Sequence, residues 1–568
     1  MTAPHGATLP HGVVVTPESS ARKWWTLGVA CAATFMLLLD TNIVAVALPS
    51  IARDLNASFD DLQWVIDAYS LGLASLLLTA GALSDVLGRR NVFAIGLVVF
   101  TAFSAICGLA WSATALDVAR GLQAVGGAMM FGTVVALLAQ EFEPGERGTA
   151  FGIWGASTAS GVASGPIIGG ALTDGLGWQA IFYVNIPIGL IALALTLTKL
   201  KNVPGEQSKI DLHGTVTFTA ALLAFVFALV RGNGEGWSSP LIIGLFVAAA
   251  VCLGAFVAIE LRSAAPMLDL SLFRKRAVQG VSIAAFAVSA SAITLVIFLT
   301  LWLQSILGYS PLAAGLRMLP MTLSALAAAP LAGRLSARVP ARVMLSVGLL
   351  LVGVGTASMT VIDAGSRWTA ALPGLIVVGV GMGLTQSPLA SASVAVVPPA
   401  KAGMASGINS TFRQVGLATG IAALGAVFAH TVLTHVKAAL ANTPVVGQAA
   451  AIAERIAAGG TQSVVAHAGG NPQQIEHVAA VSFTAGLTRI FVIAAAVAIV
   501  GAITSAVLIR SRDMWQPPAG GPPRPGGSGS GPPGPPLGDP LESAGPLQRR
   551  AGEGRAPRNE GTLDDHRP

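Results

Sequence analysis

Among the charged side chains set inside apolar runs of this 568-residue chain, Asp40, Asp67 and Arg120 are the first candidates for chemistry. An ionisable group within a hydrocarbon layer costs at least about 2.5–3.5 kcal/mol and tends to face an interior cavity or a partner. Counted from the outer ends of their runs, all three lie about 8–12 Å deep at 1.5 Å per residue, so they could share one layer. Two readings follow. One is a structural ion pair that only glues helices together. The other is proton coupling. Burial raises a carboxylate's pKa and a nearby guanidinium lowers it, so an acid alternating between those surroundings can load a proton on one side and release it on the other. Arg120 is then the modulator. Asp67 is an alternative carrier, or a group that attracts cationic substrates.

A second set lies elsewhere. Gly81-Ala-Leu-Ser-Asp85-Val-Leu-Gly88-Arg89-Arg90 separates two apolar runs with room for only a tight loop. Gly81 and Gly88 permit close helix approach and a sharp turn. Asp85 falls where the first run meets water, positioned to pair with a cation or cap a helix. The stretch lies away from the proposed proton layer and reads as a latch, in which Asp85 with Arg89 and Arg90 holds one conformational state. Arg413, in Asn409-Ser-Thr-Phe-Arg413-Gln414, lies near the middle of its run, as candidate pathway or as anchor. Gln386 and Pro388 either line a pathway or kink a helix, and Arg317 has no nameable partner. Trp64, Tyr69, Trp154, Phe298 and Trp302 offer π surface for lipophilic cations, although packing explains each of them as well.

The elements that would position these residues are membrane spans. The chain is 53% hydrophobic and 11% charged, against about 25% charged for soluble proteins. Fourteen runs of spanning length are expected, near 24–48, 62–83, 91–110, 114–138, 148–172, 180–198, 213–231, 240–260, 277–304, 312–333, 342–362, 369–396, 403–432 and 487–510. Of the 33 Lys and Arg, 18 fall on loops and flanks of one face and 6 on the other, which by the positive-inside bias puts both termini in the cytoplasm. Residues 1–21 are expected to be disordered, 433–486 to form an external loop with a short helix near Ala449–Ala458, and the Pro/Gly-rich tail 513–568 to be disordered.

An internal repeat organises the spans. Gly81–Arg90 returns weakly as Gly333–Arg342, an offset of 252, with Ala337 where Asp85 stands. Val125-Gly126, Pro144 and Gly148-Thr-Ala-Phe-Gly-Ile153 return at Val380-Gly381, Pro399 and Gly403-Met-Ala-Ser-Gly-Ile408, all offset by 255. Residues 22–200 and 263–512 are therefore two parallel six-helix halves, and 201–262 is an inserted pair of spans. Two such halves are the layout of rocker-type secondary transporters.

Gly81–Arg90 resembles the loop 2–3 signature of the major facilitator superfamily. Leu39-Asp40-Thr-Asn-Ile-Val-Ala-Val-Ala-Leu-Pro49 resembles the first-helix motif of its fourteen-span drug:proton antiporter-2 family, with Asn42 and Ala45 departing from the usual Thr and Asn. Arg120-Gly-Leu-Gln123 with Gly126 resembles the fourth-helix motif, with Ala124 for a glycine. Gly161, Gly165, Pro166, Gly169 and Gly170 match the fifth-helix antiporter motif, and Trp178-Gln-Ala-Ile-Phe-Tyr-Val-Asn185-Ile-Pro-Ile-Gly189 also fits this branch. The resemblance implies an all-α membrane protein of the major facilitator fold. It places an acid at Asp40, the first candidate for the proton carrier, and gives the fifth-helix glycine face a role in limiting leak. Packing alone also explains small residues spaced by four.

The function expected is proton-coupled efflux of small amphipathic compounds, with a lean toward cations, by a bacterial multidrug exporter of the inner membrane. Rival expectations are a dedicated exporter of one metabolite, an importer, and a sensor or scaffold acting through the 513–568 tail. The chain is expected to be monomeric in the lipid bilayer. No cofactor other than the proton is implied, no metal-ligand spacing appears among the 8 histidines, and the 3 cysteines all lie in apolar runs. The basic loops account for the charge without nucleic acid. No nucleophile–base set suggests an enzyme, and no Gly-x4-Gly-Lys-Ser/Thr loop suggests ATP drive.

Overall fold

A computed structural model describes residues 17–510, except 58, 144, 206–210, 264–265, 337, 442, 444, 459 and 462–471. The expected tail 513–568, Ala337 and Pro144 lie outside the described residues. The described regular structure is helical. The first six long helices are α1 Pro17–Leu55, α2 Phe59–Leu87, α3 Arg89–Gly108, α4 Ala113–Glu141, α5 Arg147–Leu176 and α6 Asn185–Lys199, the last led in by the turn Ala180–Tyr183. The inserted pair is α7 Leu212–Glu235 and α8 Pro240–Glu260. Helix α9 runs from Arg276 to Ser305 through a π-helical turn at Ser289–Ile293. Then follow α10 Pro311–Leu335, α11 Ala341–Ser358, α12 Leu372–Ala395, α13 Ala402–Leu440 and α14 Pro472–Leu508.

Among the described residues, 13 helices are long and apolar enough to cross a membrane. The 30-residue α5, packed between α1 and α10, brings the long helices to the expected fourteen. Local chemistry sets several starts. Ser112 Oγ accepts from Ala115 N to cap α4, Asp211 Oδ1 accepts from Gly214 N to cap α7, and Pro240 opens α8. Gly88 alone separates α2 from α3. Its φ of 90° is a conformation that side chains resist, and a Cβ there would also meet Val203 O at 2.9 Å.

The two halves pack alike. In the first, α2 and α3 lie on α4, α1 on α5, and α3 on α6. In the second, the helices eight places later repeat each pairing: α10 and α11 on α12, α9 on α13, α11 on α14. The halves cross through α2 against α13 and α5 against α10, while α7 leans on both α2 and α13. The face that carries the α2–α3 and α10–α11 loops is called the basic face below. There the segment between α8 and α9 is fixed to the start of α13 by Asp269, which pairs with Lys401 at 3.3 Å. The Ser271 hydroxyl, and then Lys401, hold the Asp269 carboxyl below the ordinary range.

Three boundaries differ from expectation. Helix α1 begins at Pro17, inside the stretch expected to lack structure. Helix α13 continues to Leu440 and α14 begins at Pro472, so most of the expected 433–486 loop is helical. The reason is a buried stripe. Val432, Val436 and Leu440 pack with Ile452 and Ile456 of the nine-residue helix Ala449–Ala457 and with Ile475 and Val478 of α14. That cap extends the core of the second half without a break.

Glycines seat α1 on α5. A Cβ at Gly165 would meet Asn42 Cβ at 2.6 Å, one at Gly161 would meet Phe35 O at 2.9 Å, and one at Gly169 would meet Ile43 Cγ1 at 2.8 Å. Gly170 faces open space and is not part of this seam. Pro166 lies in the body of the same helix. Gly165→Val should therefore overpack the seam and cost about 1–3 kcal/mol of stability, whereas Gly170→Ala should be neutral. Thermal melting of the detergent-solubilised protein checks this; equal melting of the two variants would contradict the seam.

Candidate functional site

Asp40 sits in mid-helix on α1 with no exposed surface, at the centre of a polar cluster closed off by apolar packing. Its Oδ2 accepts from Arg120 Nη1 at 2.5 Å. Its Oδ1 accepts from Gln123 Nε2 at 3.1 Å and from Asn185 Nδ2 at 2.8 Å. One carboxylate thus ties α1 to α4 and α6. Arg120 also donates to Gln123 Oε1 at 2.8 Å and to Val65 O of α2 at 3.3 Å, and it lies 4.0 Å from the centroid of the Tyr69 ring. Asn185 reaches Ser104 Oγ at 3.0 Å, and that hydroxyl donates to Phe182 O at 2.9 Å. A buried pair is tolerated when further hydrogen bonds complete both charges, and breaking one partner is strongly destabilising. Three groups nearby or in the same layer keep a buried oxygen without a hydrogen bond: Tyr69 OH, Asn185 Oδ1 and Asp67 Oδ2.

The pairing of Asp40 with Arg120 agrees with the sequence expectation, but Asp67 is not a member of the cluster. Near it, the guanidinium of Arg231 of α7 lies 4.9 Å from the ring of Trp64, one helical turn before Asp67. Gln123, Asn185, Ser104 and Tyr69 were not singled out from sequence as parts of this network. The signal for the first two was present: Gln123 follows Arg120 by one helical turn, and Asn185 interrupts an apolar run at the start of α6.

The second site closes the basic face. Helix α13 starts with Lys401 as N-cap, which supplies no side-chain cap. Its unpaired first-turn N–H groups are satisfied from the other half. Asp85 Oδ1 accepts from Gly403 N at 2.9 Å and Oδ2 from Met404 N at 2.8 Å. Arg89 Nη2 donates both to Asp85 Oδ1 at 3.1 Å and to Pro399 O at 2.6 Å. Gly81 lies so close to α13 that a Cβ would meet Gly407 Cα at 2.9 Å. On the other crossing, a Cβ at Gly333 would meet Thr149 N at 3.1 Å, and Ser387 Oγ donates to Gly148 O at 2.9 Å. The sequence-matched pairs thus exchange partners. Gly81 meets Gly403, and its repeat Gly333 meets Gly148, the repeat of Gly403.

Arg90 corrects the expected latch. It donates to Thr196 O at 3.1 Å and to Leu197 O, both at the end of α6, and so works inside its own half. Gly88 likewise faces not the other half but Val203, in the segment that leads into the inserted pair. Trp154 is also not a pathway residue in this conformation. It is buried against Phe131 and donates to Thr34 Oγ1 at 2.9 Å, fixing α5 to α1. Phe298 and Trp302 are buried in the core of the second half. Arg317 finds aromatic partners, with Tyr309 at 3.5 Å and Trp368 at 5.7 Å. Arg413 Nη1 donates to Gln386 Oε1 at 2.7 Å, and both residues remain half-buried.

The Major Facilitator Superfamily model matches residues 30–421. The chain belongs to that superfamily. It is 38% identical to the multidrug resistance protein Stp of Mycobacterium tuberculosis over 397 residues, 70% of this chain and 74% of that one. It is 34% identical to the tetracenomycin C resistance and export protein of Streptomyces glaucescens over 501 residues, 87% of this chain and 93% of that one. The puromycin resistance protein pur8 of Streptomyces alboniger is 36% identical over 412 residues, 72% and 82% of the two chains. Among solved structures, the proton:xylose symporter XylE shares the fold with a TM-score of 0.58 at 14% identity, covering 87% of this chain and 97% of that one. This superfamily member is a multi-pass membrane protein.

The latch makes a direct prediction. Hydrogen bonds to a charged group are worth about 1.5–3 kcal/mol each, so Asp85→Ala should shift the population toward an opened basic face and slow the transport cycle, with substrate affinity largely intact. Distances between spin labels on Glu143 and Arg334, on opposite halves, would report the opening. Normal cycling with a large loss of affinity would contradict the assignment.

Proposed function

We propose that this protein is a proton-coupled exporter of small amphipathic compounds, working by alternating access between its two halves. The observation that carries the coupling is the sealed Asp40 carboxylate, which gathers donors from three helices at once. A proton placed on Asp40 removes the charge opposite Arg120 and turns an accepting oxygen into a donor. The cluster then cannot keep all its bonds, and α1 loosens from α4 and α6. Helix α1 rides on α5 through the glycine seam, and α5 crosses to the other half at Gly148 and Gly333. Protonation at Asp40 thereby reaches the closure of the basic face through one continuous helix pair.

Export rather than import is supported by the relatives, whose names describe resistance and export. With the basic face in the cytoplasm of a bacterial cell, the conformation described is closed inward. One proton moving down the membrane potential supplies about 2.3 kcal/mol per 100 mV. Each chain holds both halves of the pathway, which supports a monomer as the working unit.

Asp40→Asn should abolish proton-driven transport, and it should also lower the melting temperature, because buried Arg120 loses its counter-charge. In proteoliposomes with an imposed pH gradient, unchanged drug flux in that variant would sink the coupling role, and flux in the opposite direction in the wild type would sink export. A second reading, a dedicated exporter of one metabolite, is favoured by the tetracenomycin C relative, which aligns over 93% of its own length. Susceptibility profiling with the gene deleted and overexpressed separates the two: shifts across many compounds indicate multidrug export, and a single shift indicates the specialist.

A further inference from the structure

Of the arginines set within the spans, Arg489 of α14 is exposed, while Arg120 and Arg317 are answered from inside the protein. Arg120 has the Asp40 carboxylate, and Arg317 has the faces of Tyr309 and Trp368. Arg413 has neither. Its hydrogen bond goes to the neutral amide of Gln386, and among the described residues no carboxylate lies within ion-pair distance and no ring faces it. A guanidinium at this depth without a counter-charge is costly, and such residues mark substrate or ion routes.

Its position fits that role. Arg413 lies ten residues beyond Gly403, about 15 Å along α13 from the Asp85 latch. Gln386 lies on α12 beside Gly155 of α5, whose added Cβ would stand 3.5 Å from Gln386 Cβ. The pair is therefore where α12 and α13 of one half approach α5 of the other, just above the seal made by Ser387 and Gly148. Gln386 spends its Oε1 on Arg413, which leaves its Nε2 as a second donor beside the guanidinium.

We propose that Arg413 and Gln386 form an anion subsite, at which a carboxylate or phenolate of the transported compound docks on the planar guanidinium fork with the amide as an added donor. Arginine suits this because its donors match a carboxylate in pairs. The inference deepens the export reading and rests on it for the route the anion takes.

The test is binding of carboxyfluorescein, an anionic amphipathic dye, and ethidium, a cationic one, to the full-length protein in nanodiscs, read by fluorescence polarisation. Arg413→Gln should lower the ratio of carboxyfluorescein to ethidium affinity about tenfold or more. Arg413→Lys should lower it less, because the charge remains and the fork is lost. Gln386→Glu keeps Arg413 but supplies an internal carboxylate, and should lower the ratio as Arg413→Gln does. An unchanged ratio in both Arg413→Gln and Gln386→Glu overturns the proposal, as does a wild type that binds ethidium but not carboxyfluorescein. Export is scored separately in proteoliposomes. A wild type that binds both dyes with the expected variant pattern yet moves neither refutes the export reading and leaves the anion subsite standing.

Discussion

A charge held inside a low-dielectric layer must be answered, and the first half of this protein is arranged around one such answer. Asp40 cannot be hydrated where it stands, so its two oxygens take donors from Arg120, Gln123 and Asn185. Those donors come from α4 and α6, and the carboxylate comes from α1. Arg120 in turn needs its remaining N–H groups filled, which draws in the Val65 carbonyl of α2 and the Tyr69 ring. The positions of four helices therefore follow from the stoichiometry of a single ion pair. The equivalent region of the second half has no such pair among the described residues, and α9 there instead takes a π turn lined by buried Ser289, Ser291 and Thr294.

The closure of the basic face uses a different economy. Helix α13 begins without a cap of its own, and its orphan N–H groups are completed by a carboxylate from the opposite half. Such a cap is available only when the halves are together. Opening exposes both the helix start and Asp85 to water, where each finds replacement partners. The exchange with water offsets part of what the closed latch gains. The glycine crossings complete the arrangement, because backbone-to-backbone approach leaves no side chain that must repack when the halves part.

Much of this was legible in the sequence. Span number follows from apolar run length. The halves follow from a repeat at offsets of 252 and 255, and four of its glycines, Gly81, Gly148, Gly333 and Gly403, prove to be the crossing points. Asp40 with Arg120 followed from the cost of burying charge. What the sequence hid has physical reasons too. Arg90 has a long, flexible side chain next to Arg89, and nothing local says that one reaches across the seal while the other turns to the end of α6. Trp154 could offer its face or bury it, and the deciding partner, Thr34, is 120 residues away. The extension of α13 was legible but missed: Val432, Val436 and Leu440 recur every fourth residue, a helical stripe masked by a polar, Ala-rich background.

That extension bears on how the two halves differ as moving bodies. The cap made by the end of α13, the helix Ala449–Ala457 and the start of α14 shares its core with the second half. It is an outgrowth of one half, packed on that half's core. In the rocking motion proposed above, the cap would move with that half, its tip travelling farther than residues near the pivot. The far face of the protein would thus carry a pointer to conformational state, open to a binder, that the ion pair sealed at the centre does not offer.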